Sequence, residues 1–113
     1  MFISNYNIEH IFVEQIEKAM EEGAILLDIR HEEDYNAVHI PNSINIPLSS
    51  ISLQLKRLDQ EKEILVICYI GQSSKKITYF LKQLGFRAKN VQGGMNAWKA
   101  YKSNIRRNGE CSI

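Results

Sequence analysis

Cys68 is the residue of this chain with the clearest capacity for chemistry, because it ends an apolar run over residues 64–67 and precedes a short polar loop. Such a run is typical of a buried parallel strand, and ligand sites in open α/β sheets lie at the carboxyl ends of these strands. The loop leads into a helical pattern that begins near Ser73 or Ser74. Unpaired N–H groups at a helix start favour an anion, so we expect Cys68 to act as a reactive thiolate.

The same pattern permits a plainer interpretation, in which Cys68 is a small hydrophobic residue of the core, since free cysteine is often buried. Gly71 favours the functional interpretation, because a glycine can adopt positive φ and turn successive N–H groups towards an anion. Ser73 and Ser74 also have two interpretations: a hydroxyl can cap the helix, or it can donate to a group that the sulfur carries. We expect capping by at least one of them.

Length and composition indicate one small domain. The 113 residues, 44% of them hydrophobic, suffice for a single core without disulfide bonds. The 14 basic and 13 acidic residues nearly cancel, which argues against nucleic acid or an acidic membrane as a general partner. Cys68 and Cys111 are too few for a disulfide framework, no zinc-ligand spacing is present, and the first residues lack a signal-peptide pattern. We therefore expect a cytoplasmic protein.

Around Cys68 the chain alternates strand-like runs with helical patterns, which is typical of an α/β sandwich around a mostly parallel sheet. The sequence predicts helices over residues 13–20, 32–37, 50–58, 73–85 and 94–102, and strands over residues 24–29, 44–46, 64–68 and 88–91. The strand at 44–46 is short enough to be an edge strand. We assign residues 1–102 to a single domain and expect 103–113 to form a flexible tail.

Four segments, in this order, resemble blocks of the rhodanese-like family of single-domain sulfurtransferases. They are the Asp-x-Arg end of residues 26–30, the His-Ile-Pro segment at 39–41, the loop at 68–74 and the Gly-Gly-x-x-x-Trp block at 93–98. The resemblance covers about residues 14–98. It implies a rhodanese-like three-layer sandwich of the α/β class, with a mostly parallel central sheet and helices on both faces.

The resemblance implies a sulfurtransferase with Cys68 as the catalytic nucleophile. Its thiolate would take sulfane sulfur from a donor such as thiosulfate, hold it as a persulfide and pass it to a thiol or cyanide acceptor. The residues expected to bind the substrate or persulfide are Tyr69, Ile70, Gly71, Gln72, Ser73 and Ser74. Converging N–H groups would stabilise the persulfide anion, so the mechanism requires no metal or organic cofactor. The partners are a small donor and acceptor, or a protein that carries a persulfide; the oligomeric state is left open.

Asp28 and Arg30 end the neighbouring strand, and the resemblance implies that they support the loop through hydrogen bonds and an ion pair. In the alternative, Arg30 orients an anionic donor. Many family members have an arginine at the position of Ser73, and we interpret the serine as tuning the site. Val38 and Asn42 stand where the family commonly has glycine; Asn42 tolerates positive φ and Val38 does not, so we expect a changed backbone near Val38.

Two other functions remain open. A cysteine-dependent phosphatase or arsenate reductase would need an arginine six residues after the cysteine, where this chain has Ser74. A non-catalytic or regulatory rhodanese-like module would bind a protein partner and leave Cys68 unreactive. For Tyr69 and Ile70, flanking the pocket mouth and packing against neighbouring loops are equal alternatives.

Three further residues have assigned roles. By the resemblance, His39 is a structural turn residue, hydrogen-bonded within the fold. Trp98 is a core residue of the last helix. Cys111 has two interpretations: it resolves the Cys68 persulfide or pairs with Cys68 under oxidation, or it is an exposed cysteine without a role.

Overall fold

A five-stranded sheet forms the centre of the structure, a computed structural model that describes residues 7–111 and the side chains of residues 7–106. The strands are β1 (Glu9–Ile11), β2 (Ile25–Asp28), β3 (Ile44–Asn45), β4 (Glu63–Ile67) and β5 (Arg87–Val91). Their order is β1-β5-β4-β2-β3, and each of these neighbouring pairs is parallel. β4 is therefore the central strand, and Cys68 follows it directly.

Helices lie on both faces of this sheet. The α-helices are α1 (Ile16–Glu21), α2 (Glu32–Ala37), α3 (Ser73–Gln83) and α4 (Gly94–Cys111), and 3-10 helices occupy Val13–Gln15, Leu48–Leu53 and Leu55–Arg57. Over residues 7–111, none of these helices combines the length and the apolar character that a membrane span requires.

Alternation along β4 divides the core into two clusters. Ile64 and Val66 pack in one cluster with Leu81 of α3, whereas Leu65 packs in the other with Trp98 of α4. Successive side chains of a strand point to opposite faces, so a continuous apolar run is buried on both sides. This arrangement confirms the predicted three-layer α/β sandwich and the core position of Trp98.

The structure corrects two of the predicted elements and adds a strand that was not predicted. The helix predicted over 50–58 is wrong: the chain forms two short 3-10 helices separated at Gln54, whose φ of −123° lies outside the helical range. Strand β1 was not predicted, because only Ile11 of its three residues is buried and such a short segment has no readable alternation. Helix α4 continues to Cys111, past the end predicted near Lys102. The domain boundary at 102 and the flexibility of 103–113 stay predictions.

Candidate active site

The loop between β4 and α3 begins at Cys68 and is shaped by Gly71. Gly71 has a φ of +91°, and a Cβ at this position would lie 2.9 Å from the backbone nitrogen of Gly93. A side chain here would therefore be strained by its backbone conformation and blocked by neighbouring backbone. Glycine at this position lets the loop pass close to the backbone of Gly93 while it turns back towards the sulfur.

Cys68 is buried, with 3% of its surface exposed, and its sulfur is surrounded by hydrogen-bonding groups. The backbone N–H groups of Gly71 and Ser74 donate to Sγ over 3.2 and 3.3 Å. The thiol in turn donates to Ser74 Oγ at 3.1 Å. Of the six loop residues predicted to surround the sulfur, Gly71 and Ser74 thus contact it within the described chain. Two fixed N–H donors at a helix start favour negative charge on this atom.

Ser74 does not cap helix α3. The N-cap residue is Gln72, and no side chain makes a capping hydrogen bond there, so the predicted capping by Ser73 or Ser74 is wrong. The hydroxyl of Ser74 instead donates to Oδ1 of Asn90 on β5 over 2.5 Å. Ser74 is fully buried, and its hydroxyl links the sulfur to the neighbouring strand.

Cys68 lines a cavity of about 180 Å³. Tyr69, Ser73 and Arg30 also line it, so a basic residue and a serine border the same space as the cysteine. A larger space of about 550 Å³ borders residues 23–25 and 40–44, at the amino ends of β2 and β3. That space lies at the amino ends of the strands, whereas Cys68 lies at a carboxyl end. Ligand sites in parallel sheets lie at the carboxyl ends, so the smaller cavity is the candidate substrate site.

Asp28 and Arg30 form a buried ion pair beside the loop. Their side chains are 1% and 3% exposed, and Nη2 of Arg30 lies 2.8 Å from Oδ2 of Asp28. Nη2 also donates to the Val38 carbonyl at 2.7 Å. The guanidinium carbon lies 5.8 Å from the centre of the Tyr69 ring, a cation–π distance, and this is how Arg30 contacts the loop. The predicted ion pair is present, but the hydrogen bonds described for the Arg30 side chain go to Asp28 and Val38.

The two replaced glycine positions adopt different conformations. Val38 is extended, with a φ of −161°, and its carbonyl accepts the hydrogen bond from Arg30. Asn42 has a φ of 70°, as its tolerance of the left-handed region predicts. Val38 is thus accommodated without strain in the segment that carries the acceptor for Arg30.

Tyr69 stands at the mouth of the cavity. Its hydroxyl donates a hydrogen bond to the Asp34 carboxylate of α2. This bond raises the pKa of Tyr69 above its ordinary value, and loss of solvation raises it further. Tyr69 is 40% exposed and lines the cavity, whereas Ile70 is 54% exposed. Tyr69 thus lines the cavity and also packs against Asp34 and Arg30, so the structure contains features of both alternatives.

The start of α4 holds the back of the loop. The N–H groups of Met95 and Asn96 donate to the carbonyls of Cys68 and Tyr69 at 2.8 and 3.0 Å. A Cβ on Gly94 would lie 2.5 Å from the Cys68 oxygen, so only glycine permits this approach. The close approach at Gly94 therefore lets the start of α4 hold the loop by backbone hydrogen bonds.

Comparison with known proteins identifies the family. The sequence matches the profile of the rhodanese-like domain over residues 12–101. The chain belongs to the rhodanese-like family. It is 34% identical over 88 residues to the thiosulfate sulfurtransferase GlpE of Pseudomonas savastanoi. The aligned residues cover 77% of this chain and 83% of that protein. The resemblance seen in the sequence is confirmed, and this rhodanese-like domain stands among sulfurtransferases.

Solved structures agree with this assignment. A rhodanese-related protein from Thermoplasma volcanium has a TM-score of 0.77 and 31% identity, over 82% of this chain and 92% of that one. An NAD-dependent persulfide reductase from A. fulgidus has a TM-score of 0.68 and 33% identity, over 80% of this chain but only 16% of that longer one. The rhodanese-like fold is thereby confirmed.

Two residues near the site of the rhodanese-like domain were not predicted. Asn90 is fully buried, and its Nδ2 lies 3.1 Å from Nδ1 of His10 on β1. The one sequence signal is an asparagine inside a strand, where this residue type is depleted and must find partners if buried. Nothing in the sequence connects it to Cys68 or His10.

His39 has the structural role that the resemblance implied. Its Nδ1 lies 2.7 Å from the Tyr35 carbonyl, and its ring stacks on that of Tyr35 with 3.9 Å between centres. The side chain of Cys111 lies outside the described residues, so both of its interpretations stay predictions. Among the described residues, no group of three or more His, Cys, Asp or Glu side chains is placed to hold a metal ion.

Proposed function

We propose that this rhodanese-like domain transfers sulfane sulfur from a small anionic donor of the thiosulfate type to a thiol or cyanide, through a persulfide on Cys68. One observation carries the proposal: Sγ of Cys68 accepts hydrogen bonds from two backbone N–H groups, and Cys68 lines a small cavity together with Arg30. This arrangement suits a nucleophile that is negatively charged when it attacks the donor and that carries negative charge again as a persulfide.

In the first half-reaction the thiol loses its proton to solvent and the thiolate attacks the outer sulfur of the donor. A bond forms between Sγ and that sulfur, while the bond from that sulfur to the sulfonate group breaks. The electron pair of the broken bond leaves with sulfite when thiosulfate is the donor. The N–H groups of Gly71 and Ser74 hold Sγ in place during the attack.

In the second half-reaction the acceptor attacks the outer sulfur of the persulfide. A new bond joins the acceptor to that sulfur, the sulfur–sulfur bond breaks, and its electron pair returns to Sγ as the thiolate. Cyanide would leave as thiocyanate and a thiol as a persulfide. A protein persulfide could replace the small donor in the first step, and a protein thiol could replace the small acceptor in the second. Tyr69, which lines the cavity, and its neighbour Ile70 are exposed and could contact such a protein.

Arg30 and Ser73 are the cavity residues suited to an anionic donor. Arg30 carries its positive charge in a buried pair with Asp28, which fixes the guanidinium beside Tyr69. We assign Asp28 and Arg30 to support of the loop, with the field of Arg30 as a secondary aid to the donor. The remaining loop residues, Ile70 and Gln72, are exposed and would contact a larger acceptor.

The similarity to a thiosulfate sulfurtransferase and to a persulfide reductase supports this chemistry. The N–H groups around Sγ would stabilise the anion without a metal or organic cofactor. The balanced charge of the chain suits small-molecule or protein partners. Cys68 is a free thiol, which suits the reducing cytoplasm, and we assign the function to that compartment.

Intact-mass measurement of the reduced protein after incubation with thiosulfate tests the proposal. We expect the wild type to gain one sulfur atom that dithiothreitol removes, and a Cys68→Ser variant to gain none. Cys111→Ser is the matched control, because it removes the other cysteine and should load as the wild type does. Release of one sulfite for each sulfur atom gained would show that the bond to the sulfonate group is the one that breaks.

Other outcomes favour the rival functions. No added sulfur in the wild type would reject thiosulfate as the donor and favour a non-catalytic module that binds a protein partner. Hydrolysis of an aryl phosphate that is lost in Cys68→Ser would favour a phosphatase. If the Cys111→Ser variant gained no sulfur, Cys68 alone would not account for loading, and the proposal would be overturned.

A further inference from the structure

A buried chain of hydrogen bonds leads from the Cys68 sulfur to the edge strand β1. The thiol donates to Ser74 Oγ at 3.1 Å, the Ser74 hydroxyl donates to Asn90 Oδ1 at 2.5 Å, and Asn90 Nδ2 lies 3.1 Å from His10 Nδ1. Ser74 and Asn90 are both fully buried. The parallel register of β1 and β5 sets His10 opposite Asn90, so the sheet itself fixes the last link.

The direction of these bonds favours the protonated sulfur. A serine hydroxyl has one proton to donate, and here that proton goes to Asn90. Ser74 Oγ can therefore only accept a hydrogen bond from Cys68. A thiol has a proton to donate to it, whereas a thiolate has none. The thiolate is left with the two N–H donors of Gly71 and Ser74.

His10 determines which end of the Asn90 amide faces Ser74. A side-chain amide has an acceptor at one end and donors at the other. Nδ2 of Asn90 can only donate, so its 3.1 Å contact with Nδ1 of His10 is a hydrogen bond in the tautomer of His10 that carries its proton on Nε2. In that tautomer the carbonyl end of the amide points to Ser74. With the amide reversed, Nδ2 would donate to Ser74 Oγ and the hydroxyl proton would be free for the sulfur.

We propose that Asn90, oriented by His10, is a positioning residue that withholds the Ser74 hydroxyl proton from Cys68 and so keeps the unloaded nucleophile as a thiol. The inference deepens the proposed function in that Cys68 is the nucleophile there. Its consequence is a resting cysteine that alkylating and oxidising agents attack slowly, since the thiolate is the reactive form. A persulfide has no proton on Sγ, so loading removes the bond from the thiol to Ser74.

The rate of Cys68 alkylation by iodoacetamide, measured across pH in a Cys111→Ser background, tests the proposal. We expect Asn90→Ala to free the hydroxyl of Ser74, to move the pH–rate profile to lower pH and to raise the neutral-pH rate about tenfold, roughly the effect of one hydrogen bond to a charged group. In a Ser74→Ala background the same substitution should have no effect, because Asn90 acts through Ser74.

His10→Ala provides a second variant in case the buried Asn90 substitution impairs folding. His10 is exposed, and its loss should let the amide reverse, moving the profile in the same direction by a smaller amount. Glu9→Ala, on the same edge strand, is the matched control and should leave the profile unchanged.

Three results would overturn the proposal: a profile in Asn90→Ala that matches the wild type, one that moves to higher pH, or an effect that persists without the Ser74 hydroxyl. Alkylation needs no sulfur donor, so the two proposals fail separately. A protein that alkylates as expected but never gains sulfur from thiosulfate contradicts the proposed function and leaves the role of Asn90 standing.

Discussion

The hydroxyl of Tyr69 donates a hydrogen bond to the carboxylate of Asp34, which joins the reactive loop to helix α2 across the mouth of the cavity. The same ring lies 5.8 Å from the guanidinium carbon of Arg30. Tyr69 therefore connects the reactive loop to Asp34 and to Arg30, and its protonation state affects both contacts.

Asp34→Asn should lower the pKa of Tyr69 towards its ordinary value. The hydrogen bond to Asp34 is the main cause of the raised pKa, because a deprotonated Tyr69 would lose the bond and face a carboxylate. A tyrosinate absorbance titration should show one of the five tyrosines titrating at lower pH in the variant. Glu33→Gln, on the same helix turn, is the control; unchanged titration in Asp34→Asn would contradict the assignment.

The sign of the linked stability follows from the raised pKa. The pKa of Tyr69 is higher in the folded chain than in the unfolded one, so its contribution is complete below the unfolded value of about 10. It is lost as pH rises through the folded value. The difference in unfolding free energy between the wild type and Tyr69→Phe should therefore stay constant up to about pH 10 and change only above it.

Arg30→Met should destabilise the fold strongly, because it leaves the Asp28 carboxylate buried without its cation. Breaking a buried pair in this way costs about 3–5 kcal/mol. Lys102→Met is the control, since its pair with Glu17 is exposed and should contribute less than about 1 kcal/mol. Urea unfolding of both variants measures the difference, and equal losses would show that Arg30 is not needed to balance Asp28.

Gly94→Ala should both destabilise the domain and distort the loop. A Cβ there would lie 2.5 Å from the Cys68 oxygen, and φ is +58°. Gly23→Ala separates the two effects, because Gly23 also has positive φ but open space around its missing Cβ. We expect about 1–2 kcal/mol for the control and more for Gly94→Ala, with slower alkylation of Cys68 only in the latter. Equal losses of unfolding free energy in Gly94→Ala and Gly23→Ala would mean that the loop shifts to make room for the Cβ without an energetic cost.

Ser73→Arg should speed loading with thiosulfate. Ser73 lines the cavity, so a guanidinium there would lie near the donor. We expect the rate of persulfide formation to rise about tenfold, equivalent to about 1.4 kcal/mol, and the gain to shrink as salt screens the charge. Ser73→Gln has a polar side chain without charge and should load as the wild type does. A gain that salt does not reduce would point to a change in loop shape.

Local sequence patterns predict the position of the reactive loop and several of the elements around it. The apolar run before Cys68 and the turn at Gly71 indicate where the loop lies, and Asn42 adopts the positive φ that its residue type allows. The predicted bounds of α2 are also those observed. These features depend on a few neighbouring residues, which is what periodicity and turn chemistry record.

The features that escaped prediction depend on distant residues. His10 and Asn90 are 80 positions apart, and their contact follows from the pairing of β1 with β5. Local propensity favours serine as a helix cap and predicts capping by at least one of Ser73 and Ser74, but the hydroxyl of Ser74 donates to its buried partner Asn90. A sequence shows which polar residues need partners and does not show which strand will supply them.

The contacts between the start of α4 and the loop also set an order of events during synthesis. The carbonyls of Cys68 and Tyr69 are held by the N–H groups of Met95 and Asn96, which leave the ribosome later. A nascent chain interrupted before this point has the cysteine but lacks the groups that fasten its loop. The loop that carries the nucleophile therefore has its full set of backbone hydrogen bonds only in a chain that extends into its last helix.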